Sequence, residues 1–275
     1  MDTVVEYSVD GHVARLTLNS PHNRNALSTA LVDQLHRGLR EAASDSKVRV
    51  VVLGHTGNTF CAGADLGEAG GGSPRGDRER GEAGRGGSPP SAYEMAEARA
   101  REMTALLRAI VASPLPVVAA VDGHVRAGGF GLVGACDIAV AGPRSTFALT
   151  EARIGVAPAI ISLTLLPKMS PRAAARYYLT GETFDAATAA DIGLVTMAVD
   201  DVDAAVGKIV ADVGRGSPQG LAASKALTTA AVLEGFDRDA ERLTEESARL
   251  FVSDEAREGM MAFLQKRPPR WAADG

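Results

Sequence analysis

Apolar and polar residues alternate along Val13-Ala14-Arg15-Leu16-Thr17-Leu18, the period of two expected of a strand with one buried face, and the residues before them alternate too. Residues 48–53 (VRVVVL) and 117–121 (VVAAV) are apolar almost throughout, which predicts strands buried on both faces. Between these runs the period changes to that of a helix, over residues 30–39 and again over 96–111. A further short strand is predicted at 138–140. Strand and helix thus alternate in the α/β manner. Beyond about residue 202 the strand signals stop, and segments 222–227, 236–251 and 255–265 all carry helical spacing. The pattern therefore predicts a core over 1–201 and a helical C-terminal region over 202–275 that packs on a neighbour.

Residues 67–90 interrupt this pattern with Gly, Pro, Arg, Glu and Asp and almost nothing apolar. Such a stretch cannot offset its ordering entropy by burial, so it reads as a flexible surface insertion with solvated arginines, or as a lid if it has a function. No internal repeat is evident. With 275 residues, 45% hydrophobic and 23% charged, the remainder has the composition of a globular protein with one substantial core. No apolar run reaches the roughly 20 residues that span a bilayer, and no basic patch precedes an apolar stretch at the start, so a cytoplasmic protein without a membrane partner is expected. The net charge of −5 argues against a nucleic-acid partner, which a basic face would attract. An anionic substrate would need a local basic site. Cys61 and Cys136 have no spacing motif and read as reduced packing thiols.

The candidate chemistry begins with a motif that fails. Gly129-Phe130-Gly131-Leu132-Val133-Gly134 fits the dinucleotide-binding pattern G-x-G-x-x-G, with Glu151 near the place of its ribose-binding acid. In that fold the glycines follow the first strand at once and open a full helix. Here residues 122–128 intervene and the next strand starts by about Asp137, so the helix is too short to cover a sheet. No G-x-S-x-G elbow exists, and His12, His22, His36, His55 and His124 lack ligand spacing, so neither a serine hydrolase nor a metal site is indicated.

Two glycine-containing turns follow buried strands instead: Phe60-Cys61-Ala62-Gly63-Ala64-Asp65-Leu66, and Arg126-Ala127-Gly128-Gly129-Phe130. Glycine lets the main chain approach a ligand closely, and a helix starting at Gly128 would present amides with partial positive charge. Each turn alone reads first as an ordinary chain reversal. If their amides met at one oxygen, they would stabilise the enolate of a thioester.

Together, and in this order, these segments resemble the enoyl-CoA hydratase/isomerase (crotonase) family. The resemblance runs through NSPHNRNALS (19–28), FCAGADL (60–66), PVVAAVDGHVRAGG (116–129), CDIAVA (136–141), residues 147–155, YYLTGETFDAATAADIGLV (177–195) and FLQKR (263–267), which leaves out little but the insertion. It implies a spiral of ββα turns with a helical trimerisation region, giving a homotrimer or homohexamer. It also implies an acyl-CoA thioester as substrate, with coenzyme A part of that substrate and no other cofactor. Ala64 and Gly128 would supply the oxyanion hole. Arg24, Ala26, Ala62, Asp65, Leu66 and Gly131 would line the substrate site, and Phe263 with Lys266, from the same or an adjoining copy, would meet the adenosine phosphate end.

Two departures matter. Family hydratases carry a glutamate three residues after the oxyanion glycine and a second twenty further on. Counted from Gly128 these places hold Gly131 and Glu151, so one acid is absent. Glu151, unless it is a salt-bridged surface carboxylate, would be the only acid/base, and facing an apolar acyl pocket its pKa should be raised. Where typical hydratases have a glycine-rich turn, Pro158-Ala159-Ile160-Ile161-Ser162 should reshape the acyl pocket. The surrounding residues resemble a branch that hydrates branched acids such as methylglutaconyl-CoA. Water activation would then fall to a substrate carboxylate or to Arg126 or His124, although His124 reads first as a turn histidine with its bonds satisfied. The expected reaction is hydration of a linear or branched 2-enoyl-CoA. Its rivals are double-bond isomerisation by Glu151 alone and a catalytically weak acyl-CoA-binding protein.

Overall fold

The N-terminal alternation closes into a hairpin, where β1 (Val5–Asp10) turns at Gly11 (φ +58°) into β2 (Val13–Leu18). The computed structural model describes residues 2–69 and 89–272. After the hairpin, α1 (Thr29–Ser44) starts where the Ser28 side chain accepts the Leu31 amide, and it buries Leu31, Leu35, Leu39 and Ala42 on one face. The chain then runs through β3 (Val50–His55), β4 (Thr59–Cys61) and a short α2 (Leu66–Ala69). Residues 70–88, most of the expected insertion, lie outside the described residues. The chain is described again at Pro89, and α3 (Ala92–Ala112) begins on a reciprocal cap between Ser91 and Glu94.

From there β5 (Val117–Val121), β6 (His124–Arg126) and α4 (Gly128–Ala135) form one turn of a spiral. The next turn comprises β7 (Ile138–Ala141), β8 (Thr146–Ala148), a 3-10 turn over Glu151–Ile154, and α5 (Ser162–Leu165) with α6 (Pro171–Thr180). After β9 (Phe184–Asp185), α7 (Ala186–Asp191) and β10 (Met197–Ala198), only helices remain: α8 (Val202–Val213), α9 (Pro218–Phe251), α10 (Asp254–Leu264) and a final 3-10 turn.

The strands fall into two sheets. The larger has the order β1-β2-β3-β5-β7-β10, parallel except for the first pair, and the smaller has the order β4-β6-β8-β9, with only β9 antiparallel. After the hairpin, whose two strands both join the large sheet, the strand pairs β3–β4, β5–β6 and β7–β8 each give one strand to the large sheet and one to the small sheet before a helix follows. This is the ββα spiral that the resemblance implied. The main core, with Phe60, Phe130, Phe147 and Phe236 fully buried, fills the space between sheets and helices. A second apolar cluster seats Val206 and Val210 of α8 on Val13, Val50, Val52, Val118 and Val140, so the first helix beyond residue 201 covers the large sheet.

Three features differ from the sequence expectation. The strand expected at 48–53 starts at Val50, because Val48, though buried, pairs with the turn at Asp45. The two helical segments 222–227 and 236–251 belong to one 34-residue helix, α9, which packs along α3. The small sheet is new: its strands are two or three residues long, too short for any period to register.

Candidate functional site

Strands β4, β6 and β8 lie side by side and parallel, with Cys61 opposite Val125 and Arg126 opposite Ala148. The chain leaves all three at the same edge of the small sheet. Two or three residues beyond each strand it reaches Ala64, Gly128 and Glu151 respectively. The carboxyl ends of parallel strands are where α/β folds hold ligands, because the departing loops converge there.

The first two turns touch. A Cβ on Gly63 would come within 2.6 Å of the Ala127 Cβ and 3.3 Å of the Gly128 nitrogen, and one on Gly128 would lie 3.6 Å from the Gly63 Cα. Gly63 sits at φ +92°, open to glycine and strained for other residues. Ala127, between β6 and α4, has φ 43° and ψ −120°, a strained conformation costing about 1–3 kcal/mol that persists only where the surroundings impose it. It breaks β6 into α4 within one residue and leaves the first helical amides beside the Gly63 turn. Among the described residues, neither the Ala64 nor the Gly128 amide donates to a protein acceptor. Ala64 is further fixed by a bridge to Leu27, whose amide donates to the Gly63 carbonyl at 2.8 Å. The two amides named from the sequence are therefore free donors on adjoining turns.

Glu151 opens the 3-10 turn that Gly155 (φ +78°) ends. It is 8% exposed, and its Oε2 atom is buried with no hydrogen-bond partner. Burial pushes its pKa up to about 7, only partly opposed by a hydrogen bond from its own amide. The alternative of a salt-bridged surface carboxylate is excluded by that burial. Two elements hold the turn in place. Arg153 donates from Nε (3.0 Å) and Nη2 (2.7 Å) to the Thr180 carbonyl of α6, and Gly259 of α10 presses on the Ile154 backbone.

Gly131 is buried one turn further along α4. A Cβ there would meet Ile161 Cγ2 at 2.6 Å, and Leu107 Cδ1 and Met103 Cε at 3.1 Å. The room that an acid at this position would take is thus filled by Ile161, from the segment expected to reshape the pocket. The surroundings of Gly131 are apolar.

The substrate-lining residues read from the sequence divide into two groups. The Arg24 carbonyl accepts the Ala62 amide at 3.1 Å, and the Asn23 side chain donates to Asp65 at 2.8 Å, so Arg24, Ala26, Ala62 and Asp65 are gathered beside Ala64, with Leu66 opening α2 directly after them. Arg24 is exposed and Ala26 buried. Phe263 and Lys266 stand exposed at the end of α10, and no hydrogen bond or ion pair among the described residues joins them to the 24–27 loop. Arg126 and His124, considered for water activation, are engaged elsewhere: both bond to Thr146 on β8, Arg126 also to the Val125 carbonyl. Cys61 and Cys136 are buried thiols whose pKa values burial pushes up to about 12.

Sequence reading missed four contributors. Asn25, at φ 51°, holds the Arg24 loop by accepting the Ser20 amide and donating to the Thr56 and Thr59 carbonyls; two asparagines in a short turn were the available signal. Met103 and Leu107 read only as core residues of α3. Tyr178, whose buried hydroxyl feels the charge of Glu151, was hidden in a helical run.

Comparison with known proteins shows a likeness that runs over nearly the whole chain. A family model described as enoyl-CoA hydratase/isomerase matches residues 13–274. A solved enoyl-CoA hydratase from Mycobacterium avium is 72% identical and superposes with a TM-score of 0.87, covering 99% of this chain and 100% of its own. An enoyl-CoA hydratase of Mycobacterium tuberculosis is 31% identical over 272 residues, covering 95% of this chain and 93% of the relative. A peroxisomal dienoyl-CoA isomerase of Arabidopsis thaliana is 26% identical over 273 residues, covering 98% and 96%.

Proposed function

Because the chain belongs to the enoyl-CoA hydratase/isomerase family, we propose that it adds water to the Cα=Cβ bond of a linear or branched 2-enoyl-CoA, with Glu151 as the only carboxylate in the reaction. The observation that carries this reading is Glu151 itself: buried, without a partner at Oε2, with a pKa of about 7, on the loop next to the two amide-bearing turns. Such a group passes a proton in either direction near neutral pH. The Ala64 and Gly128 amides would hold the thioester oxygen as negative charge moves onto it, each contributing about 2.7–4 kcal/mol. Glu151 would take a proton from water as the water oxygen bonds to Cβ, and then deliver that proton to Cα of the enolate. Hydration is supported further by the likeness, at 72% identity, to the solved enoyl-CoA hydratase from Mycobacterium avium.

Arg24, beside the Ala62–Asp65 turn, offers a local positive charge for the CoA moiety in an acidic protein. Phe263, 60% exposed at the end of α10, and Lys266 would contact the CoA of an adjoining copy in a homotrimer or homohexamer. The protein is proposed to act in the cytoplasm; no helix among the described residues is long and apolar enough to cross a membrane.

Isomerisation of a 3-enoyl-CoA is a second reading, favoured by the Ile161 wall at Gly131, which needs no water. Mass spectrometry after incubation with a 2-enoyl-CoA and with a 3-enoyl-CoA separates the two. Gain of one water supports hydration. An unchanged mass with a shifted double bond replaces it with isomerisation, and no reaction on a broad thioester panel leaves acyl-CoA binding alone.

A further inference from the structure

With Gly131 in place of an acid, the proposed hydration has one group to take a proton from water and none to hold the water's other proton. A hydroxyl on the element packed against the Glu151 turn offers another acceptor. Tyr178 lies on α6, which packs against the Glu151 turn and is tied to it through Arg153 and Thr180. Its hydroxyl is 3.1 Å from Ser162 Oγ, and Ser162 Oγ is 2.7 Å from the Pro158 carbonyl oxygen. A carbonyl only accepts, so the single Ser162 proton goes to Pro158, and Tyr178 must be the donor in the bond to Ser162. The phenol oxygen then has its lone pairs free and its proton committed. Glu151 Oε2 is also an acceptor without a partner, and the carboxylate is close enough for its charge to raise the Tyr178 pKa. With burial as the larger cause, that pKa is pushed up to about 12, so the phenol stays neutral wherever Glu151 can ionise. Ser162 follows Ile161, so the segment that fills the place of the absent acid also orients this hydroxyl.

Resting on the hydratase reading above, we propose that Tyr178 is the second water-holding group of the site. The attacking water donates one proton to the Glu151 carboxylate and the other to Tyr178 Oη, which turns an oxygen lone pair toward Cβ. As the new C–O bond forms, the first proton passes to Glu151 and the π electrons move to the thioester enolate. Glu151 then protonates Cα. The Tyr178 bond keeps the second hydrogen on the product hydroxyl, so no further co-reactant is needed. Ser162 acts only through Tyr178, as a positioning residue.

The test is Tyr178→Phe, which removes a single oxygen, with thermal melting used to verify the fold. Hydration of crotonyl-CoA is measured beside exchange of the α-protons of butyryl-CoA in D2O, a reaction that requires the oxyanion amides and Glu151 but no held water. The hydration kcat should fall about 10- to 100-fold, as for loss of one hydrogen bond to a charge-developing water, with KM and the exchange rate within about two-fold of the parent. An unchanged hydration kcat overturns the proposal, and so does an equal loss of hydration and exchange. A parent that exchanges α-protons but never hydrates overturns the hydratase reading and the water site with it, while leaving the enolate reading intact. A parent that does neither overturns the enolate reading as well.

Discussion

Glu151 combines two properties that ordinary surface carboxylates lack, a buried oxygen without a partner and a pKa displaced upward by burial from 4.5 to about 7. Below about pH 4.5 the carboxyl is protonated in both the folded and the unfolded chain and contributes nothing to pH dependence. As pH rises from there, the unfolded chain releases the proton first while the folded protein retains it. Stability therefore falls, by about 3 kcal/mol in total once pH exceeds about 7. Glu151→Gln should abolish this slope, read as urea-unfolding free energies at about pH 5 and about pH 8, and should lower kcat by about 10²- to 10⁴-fold. In the parent, kcat/KM for hydration should rise with pH through about 7 as Glu151 ionises to accept the water proton. Gly131 is the complementary case. Its identity was plain in the sequence, whereas the reason that no acid could stand there, the Ile161 methyl in that space, is a contact between residues thirty positions apart.

At the level of elements, catalytic geometry depends on short pieces held by close approach. The turn carrying Glu151 rests on α10 through Gly259, where a methyl group would collide with the backbone of Ile154. Gly259→Ala should push α10 away from that turn and destabilise the protein by about 1–3 kcal/mol through overpacking. Because the displaced turn also carries Glu151, kcat should drop by more than KM changes, a split that steady-state kinetics measures directly. Sequence pattern resolves such elements unevenly. The long helices and the large-sheet strands have enough residues for a period to emerge. Strands β4, β6 and β8 do not, yet their parallel pairing is what brings Ala64, Gly128 and Glu151 to one edge.

Across the whole molecule, the long helix α9 is joined to the spiral by one buried charge. Lys225 Nζ lies 2.8 Å from Asp137 and also donates to the Ile110 and Leu115 carbonyls, while Asp137 accepts the Val117 amide. The Lys225 side chain is only 4% exposed, and this cluster connects α9, the end of α3 and the start of β7. Lys225→Met would leave Asp137 and two carbonyls without their partner. A loss of about 3–5 kcal/mol is expected, measurable by denaturant unfolding. Neither Lys225 nor Asp137 is distinguishable from a solvated surface charge in the sequence, because burial of a charge depends on what packs over it.

The sequence by itself determined the alternating α/β order, the helical C-terminal region, the two glycine turns and the single acid. Local period, glycine conformational freedom and spacing along the chain are properties of neighbouring residues, and they remain legible without coordinates. Tertiary structure decided the rest: the second sheet, the contact of the Gly63 and Gly128 turns, the apolar filling at Gly131, and the burial that displaces the Glu151 pKa. Each of these depends on distance and solvent exclusion between segments far apart in the chain, and the energies that matter there, desolvation and steric exclusion, exist only once those segments meet.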